Sequence, residues 1–340
     1  MNVRKIFSMI FVIVLLVSCL MMLSGAVLAQ EKPSSAKIVI RYADVNPITD
    51  PVVMAAEEFG RILNEKTNGR IEVKVYPSAQ LGPTTESLQA LQMGALEMTR
   101  VPSAHIAVLG VKKMNVYSLP YLYRDMEHAK KALLDGPVGK EFLDDITNSN
   151  AKLVGVGIYI VSPRHFFFTN KKVTKLSDLK GLKIRAQTGD MYTQMIEAFG
   201  ASSTPIAFSE LYSALQTGVV GGAENPIKGY YNKSFYEVCK YLTLDAHQID
   251  PCAIVFSEVL WKKLNTEDQQ LIIAAVKESA EYCYNEIVKS EKMYLEDLKK
   301  RGVIISEVED KQAWEDVVKP LYKKFAAGFE DTIERIKSVK

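Results

Sequence analysis

From Glu267 to Arg301 the chain runs for 35 residues without a glycine or proline, and Gly302 then ends the run. Ile272, Ala275, Val276, Ala280, Cys283, Ile287, Tyr294 and Leu298 recur inside it at helical spacing. Thr266 and Gln269 form a capping-box pair at its start. At 1.5 Å per residue such a helix is about 52 Å long. That length exceeds one domain, so the helix is expected to cross two. The apolar spacing is not a sustained heptad, which argues against a coiled coil. A chain of 340 residues fits two domains at roughly 150 each.

Upstream, strand and helix patterns alternate. Ile38 to Tyr42 reads as a strand, followed by a helix to Thr67 that Asn68-Gly69 stops. Ile71, Val73 and Val75 alternate with Glu72 and Lys74 as a second strand, and a short helix follows from Thr85 to Met93. This is the pattern of an α/β domain with a largely parallel sheet. Leu153 to Ile160, apolar with Gly155 and Gly157, suits a central, fully buried strand. After Ser162-Pro163 the pattern restarts. Phe166 to Phe168 and Leu182 to Arg185 read as strands, and Leu176 to Leu179 as a short helix. A further helix runs from Met191 to Gly200, and Ser209 is expected to cap a helix over Glu210 to Gln216. A second α/β unit therefore begins near residue 162.

The first thirty residues differ. Arg4 and Lys5 precede an uncharged apolar run from Ile6 to Ala29, and Val27-Leu28-Ala29 offers a small-residue cleavage site. Residues 1–29 read as an export signal. A lipoprotein box ending at Cys19 and a retained membrane anchor are the competing readings. The export signal makes the protein extracytoplasmic. Removing Arg4 and Lys5 from 42 basic residues leaves 40 against 40 acidic ones. A formally neutral chain favours neither nucleic acid nor an anionic membrane as partner. Cys239, Cys252 and Cys283 remain, without a CxxC, so a zinc site is not expected. Cys239 and Cys252 could bridge, but small buried hydrophobes are the preferred reading.

Motifs for catalysis or cofactor binding are missing: no HExxH, GxSxG, Walker loop or GxGxxG occurs. The expectation is a protein that is not an enzyme and holds no cofactor or metal. Four polar features do stand out: Arg164 in "VSPRHFFF", Arg185 ending "GLKIR", Asn225 in "GGAENP" and His247 in "LDAHQID". Arginine matches a carboxylate with two parallel hydrogen bonds, and asparagine both donates to and accepts from hydroxyls. Phe208, before Ser209, offers an apolar wall. On spacing alone each has a structural reading too: Arg185 as ion-pair partner of Asp190 or Asp178, Arg164 as a solvated strand end, Asn225-Pro226 as a turn, His247 as a hydrogen-bonded core residue.

Taken together, "SDLKGLKIRAQ", "GASSTPIAFSELYSALQTGVVGGAENP", "FYEVCKYLTLDAH", "YPSAQLG" and "SLPYLY" resemble the extracytoplasmic solute-binding proteins of TRAP transporters, in order and over nearly all of the mature chain. The resemblance implies a two-lobed α/β periplasmic-binding-protein-like fold with a hinge. Lobe I is expected from 37–161 plus 251–290, lobe II from 162–250 plus 291–340, with helix 267–301 crossing both. It also implies a small organic acid as ligand and a membrane permease of small and large subunits as partner, the binding protein itself being a monomer. Arg185 takes the ligand carboxylate; Arg164, Asn225, Phe208 and His247 are further contacts. The family's usual "GVVDGAE" has Gly221 in place of the aspartate here. Pro102 and His105 stand where sialic-acid binders carry a glutamate and an arginine, which disfavours sialic acid. Gln187 resembles members that bind hexuronates, so a sugar acid is the first expectation and a C4-dicarboxylate or 2-oxo acid the second. A secreted enzyme acting on a sugar acid is the alternative of another class. His105, Asp44 and Glu86 are the candidates to complete the site from the first lobe.

Overall fold

The computed structural model describes residues 37–340, so the export signal and Cys19 lie outside the described residues. Two mixed sheets organise the chain. The first has the order β2-β1-β3-β10-β4, with β1 at Ile38–Ala43, β2 at Ile71–Tyr76, β3 at Met98–Pro102, β4 at Leu153–Tyr159 and β10 at Cys252–Ser257. The second has the order β11-β9-β5-β8-β6-β7. Its strands are β5 at Arg164–Phe168, β6 at Lys183–Ala186, β7 at Ser202–Pro205, β8 at Gly222–Pro226, β9 at Tyr241–Gln248 and β11 at Ile304–Glu307. Each sheet is the centre of one lobe, and the chain is a two-lobed α/β protein.

The local pattern predicts a largely parallel sheet, and neither sheet is one. β1 pairs in parallel with β2 and β3, but β10 runs antiparallel to both β3 and β4. β5 likewise runs antiparallel to β8 and β9. The cause is non-local: β10 returns from the second lobe and enters the first sheet against the direction of its neighbours. β4 is also not central. It is an edge strand bonded to β10 alone. Its apolar run is nonetheless explained, because helices cover both faces. A side chain at Gly157 would collide with Val276, and one at Gly155 would crowd Leu143.

The long helix spans Thr266–Lys300. Its cap is Asn265, one residue earlier than expected, whose side chain accepts from Asp268 N at 2.8 Å; Gln269 instead donates to Trp261 O at 3.0 Å. Ile272 to Ile287 pack in the first-lobe core with Val52, Phe59 and Ile254. Tyr294 and Leu298 pack in the second-lobe core with Phe167, Phe235 and Leu242. Ser209 makes no cap either. It lies within a 3-10 turn, Phe208–Glu210, that leads into the helix Leu211–Gln216.

The C-terminal segment departs from its expected place in lobe II. After β11 the helix Lys311–Val317 still packs on the second lobe, with Trp314 against Phe166 and Phe199. The chain then crosses over. Tyr322 OH donates to Pro120 O at 2.7 Å, the His128 ring nitrogen Nε2 lies 2.9 Å from Ile336 O, and Arg124 Nη2 donates to Val339 O at 2.8 Å. The last helix, Glu330–Ser338, thus seals the first lobe through its buried Ile336. Cys239, Cys252 and Cys283 are buried free thiols, in keeping with small core residues. Among the described residues no helix is long and apolar enough to cross a membrane.

Candidate functional site

Loops and side chains at the carboxyl ends of parallel strands from both sheets meet in one cleft, the usual place for a ligand in an open α/β sheet. It holds about 740 Å³ of non-atom space, mouth included. The second sheet supplies most of the polar wall. β8 lies between β5 and β6, so the start of antiparallel β5 and the ends of β8 and β6 fall on one side. This register brings Arg164, Asn225 and Arg185 to the cleft from three separate stretches of sequence. Gly222 permits the close pairing, because a side chain there would strike Phe167 O and the Phe168 ring. Gly221, the departure from the family pattern, is less constrained: an added Cβ would meet only Lys183 O, at 3.8 Å.

Arg185 is 3% exposed, and among the described residues no carboxylate lies within ion-pair reach of it. Neither Asp190 nor Asp178 is its partner; Asp178 instead accepts from the backbone of Thr174 and Lys175. Arg185 Nε donates to Ile206 O at 2.9 Å, its guanidinium carbon lies 5.8 Å from the centre of the Phe208 ring, and Nη1 is buried without a hydrogen-bond partner. Burial lowers its pKa to about 10, with Glu224 opposing and Arg164 adding to the fall. An isolated buried charge costs several kcal/mol. The site therefore holds a cation whose two-pronged donor edge is not used by the protein.

Arg164 differs. Its guanidinium forms a forked pair with Glu224, Nε bonded to Oε2 and Nη2 to Oε1 at 3.0 Å, and Nη2 also reaches Glu224 O at 3.2 Å. Burial would raise the Glu224 carboxyl, but Arg164 and His247 hold it down to about 2. Asn225 and Gln187 line the cleft, and Gln187 Nε2 is buried without a partner. A side chain at Gly229 would collide with Asn225 Oδ1, so that glycine fixes the amide's seat. Phe208 also lines the cleft, packed edge-on against Phe235.

His247 is a correction. It is fully buried and does not line the cleft. Nδ1 lies 2.7 Å from Asp245 Oδ2, Nε2 is 3.5 Å from Glu224 Oε2, and the ring packs on Phe166. Burial works against the imidazolium, yet Asp245 and Glu224 raise its pKa to about 9. In this conformation it touches the wall from behind.

From the first lobe, His105 lines the cleft with Nδ1 buried and unpartnered. Burial and the cations Arg185, Arg164 and Arg100 lower its pKa to about 3, so it is neutral. Asp44 and Glu86 are further corrections. Asp44 sits behind the wall, where both its oxygens bind Arg100, at 2.7 and 2.9 Å. Glu86 is exposed and folds over Gly82, while the preceding Thr84 and Thr85 line the cleft. Three charged residues in the wall went unnoticed from sequence: Arg100, Lys228 and Asp250. The signal for Arg100 was a cation inside the buried strand "MTRVP", the same feature that singled out Arg185. Lys228 crosses between lobes, Nζ lying 2.7 Å from Asp50, which caps the helix Pro51–Lys66 of the first lobe. Asp50 also accepts from Asn46 Nδ2 at 3.1 Å.

Residues 42–328 match the family described as bacterial extracellular solute-binding protein, family 7. The chain belongs to that family. Its members are the binding proteins of TRAP transporters, which bind small acids outside the cytoplasm and work with a membrane permease; they are transport proteins, not enzymes. The C4-dicarboxylate-binding periplasmic protein DctP of Rhodobacter capsulatus is 32% identical over 92% of this chain and 94% of that one. A TRAP periplasmic solute-binding protein from Xanthobacter autotrophicus, solved with bound β-D-galacturonate, is similar with a TM-score of 0.84 and 34% identity over 88% of this chain and 100% of that one. One from Pseudomonas putida, with bound D-glucuronate, gives a TM-score of 0.86 and 33% identity over 89% and 98%. In this TRAP solute-binding protein, then, the cleft between the lobes is the place to look for the solute, and its chemistry is that of an anion site.

Proposed function

We propose that this TRAP binding protein captures a sugar acid, a hexuronate or related aldonate, and that the ligand carboxylate pairs with Arg185. The supporting observation is the buried guanidinium with a free donor edge. A carboxylate fits it with two parallel hydrogen bonds, and the pairing removes the cost of an isolated charge. Gln187, Asn225 and neutral His105 offer the mixed donors and acceptors that hydroxyls need, and Phe208 offers an apolar face. Two similar structures hold hexuronates. Arg164, already paired with Glu224, acts as a fixed donor in the wall. A C4-dicarboxylate is the second reading, favoured by the further cations Arg100 and Lys228 and by the Rhodobacter relative.

Ligand contacts to both lobes exist only when the lobes meet, so binding shifts the population towards closure. The buried Lys228–Asp50 pair already joins the two lobes in this conformation. The closed monomer then presents the solute to a permease of small and large subunits, after cleavage of the export signal behind Ala29. The test is a thermal-shift screen of hexuronates, aldonates, C4-dicarboxylates and 2-oxo acids, with calorimetry on the hits. Stabilisation by uronates or aldonates is expected; stabilisation by dicarboxylates alone refutes the sugar-acid reading.

A further inference from the structure

We propose that Asp250 sets ligand selectivity: its carboxylate accepts a hydrogen bond from a ligand hydroxyl and turns away a second ligand carboxylate. This rests on the sugar-acid reading of the cleft and adds to it the group that tells a polyhydroxy monoacid from a dicarboxylate.

Asp250 is the only acidic residue among the described residues that line the cleft, and it is 1% exposed. Among the described residues no lysine or arginine forms an ion pair with it. Two hydroxyls hold it: Ser118 Oγ donates to Oδ1 at 2.5 Å, and Tyr192 OH to Oδ2 at 2.7 Å. A carboxylate has about four acceptor sites, so each oxygen keeps capacity for another donor. Burial pushes its carboxyl above the ordinary range, while Arg164 and the two hydroxyls pull it back.

The rest of the cleft's charge is committed. Arg100 is paired with Asp44, Arg164 with Glu224 and Lys228 with Asp50. That leaves, among the described residues lining the cleft, one uncommitted cation, Arg185, and one uncommitted anion, Asp250. A ligand matching both has a single carboxylate for the first and hydrogen-bond donors for the second. A second carboxylate beside Asp250 forces one of the two to take up a proton, because like charges at contact disfavour joint ionisation. Rejection by an unpaired like charge is a general route to specificity. Asp250 is also well placed to act on a ligand held between the lobes. It lies on the connection from β9 to β10, between the two sheets, and its Tyr192 partner packs at a tilt against His105 of the other lobe with ring centres 5.3 Å apart.

The test uses the full mature chain, with D-galacturonate, D-glucuronate and succinate as probes in calorimetry. The wild type is expected to bind a uronate and reject succinate. Asp250→Asn keeps the size and the acceptor for Ser118 but removes the charge. It should lose about tenfold or more in uronate affinity while succinate affinity rises, narrowing the ratio of the two constants. Asp250→Ser should narrow it in the same way and serves as the second variant should the first fail to fold. A uronate-selective wild type whose Asp250 variants keep the same ratio, or weaken both ligands equally, overturns the role of Asp250 alone. A wild type that prefers succinate or binds no sugar acid overturns the underlying reading as well.

Discussion

The ends of β5 and β6 each present a buried arginine to the same cleft, and the two are opposites. Arg164, at the start of β5, is locked in a forked pair with Glu224, which is itself backed by His247 and, through that ring, by Asp245. Arg185, in β6, has a single backbone acceptor and an aromatic neighbour. One cation is part of the wall; the other is left for a guest. The difference lies in strand order rather than in residue type. β8 separates the two strands, and the Glu224 side chain turns to the β5 side.

The contrast can be broken most directly by removing the locked cation. Arg164→Ala strands Glu224 in the interior, and breaking a buried pair from one side costs about 3–5 kcal/mol. A large drop in melting temperature with the smaller share of the loss in ligand affinity is expected in calorimetry. Arg185→Lys should do the reverse. Lysine cannot reproduce the two-pronged edge, so affinity should fall at least about tenfold, equivalent to roughly 1.4 kcal/mol, while the unliganded melting temperature holds or rises. Unchanged affinity, or a melting temperature that falls as far as in Arg164→Ala, removes the distinction between the two residues.

A third test addresses the backing of the wall. The folded pKa of His247, about 9, lies above the ordinary histidine value of about 6.5. Its contribution to stability is therefore complete below about pH 6.5 and is lost as pH rises through about 9. The melting temperature of the wild type should decline over that window, and that of His247→Gln should decline less. Equal slopes in the two proteins count against a charged His247. The smallest effect concerns Phe208. Removing the ring beside Arg185 deletes a cation–π contact of about 1 kcal/mol, so Phe208→Ala should weaken binding about fivefold by calorimetry, with little change in melting temperature.

Local chemistry made some of this legible. The long helix was readable to within a residue, because an uninterrupted run with a polar cap and a closing glycine has one regular solution. Arg185 stood out because a cation ending a short apolar strand demands a partner, although sequence alone left Asp178 and Asp190 open as candidates. What failed was non-local. β4 reads as central from its own residues, and only the helices laid over it explain why an edge strand is so apolar. The direction of β10 depends on a partner some 150 residues earlier in the chain. His247 and Asp44 sit one layer behind the residues that line the cleft, and a strand's alternation cannot say which of its faces a distant loop will leave open. Arg100 and Lys228 were missed for the same reason, since their cleft-facing positions arise only when two sheets meet.

The chain passes between its halves four times: at 160–163, at 249–251, along the long helix between Ile287 and Tyr294, and again just before Tyr322. A body strapped at four places cannot swivel freely; the straps leave it little more than a single swing, like a box lid on a full row of pins. On the closure proposed above, such a body would shut into nearly the same outline around different acids, and the membrane partner would meet a single silhouette.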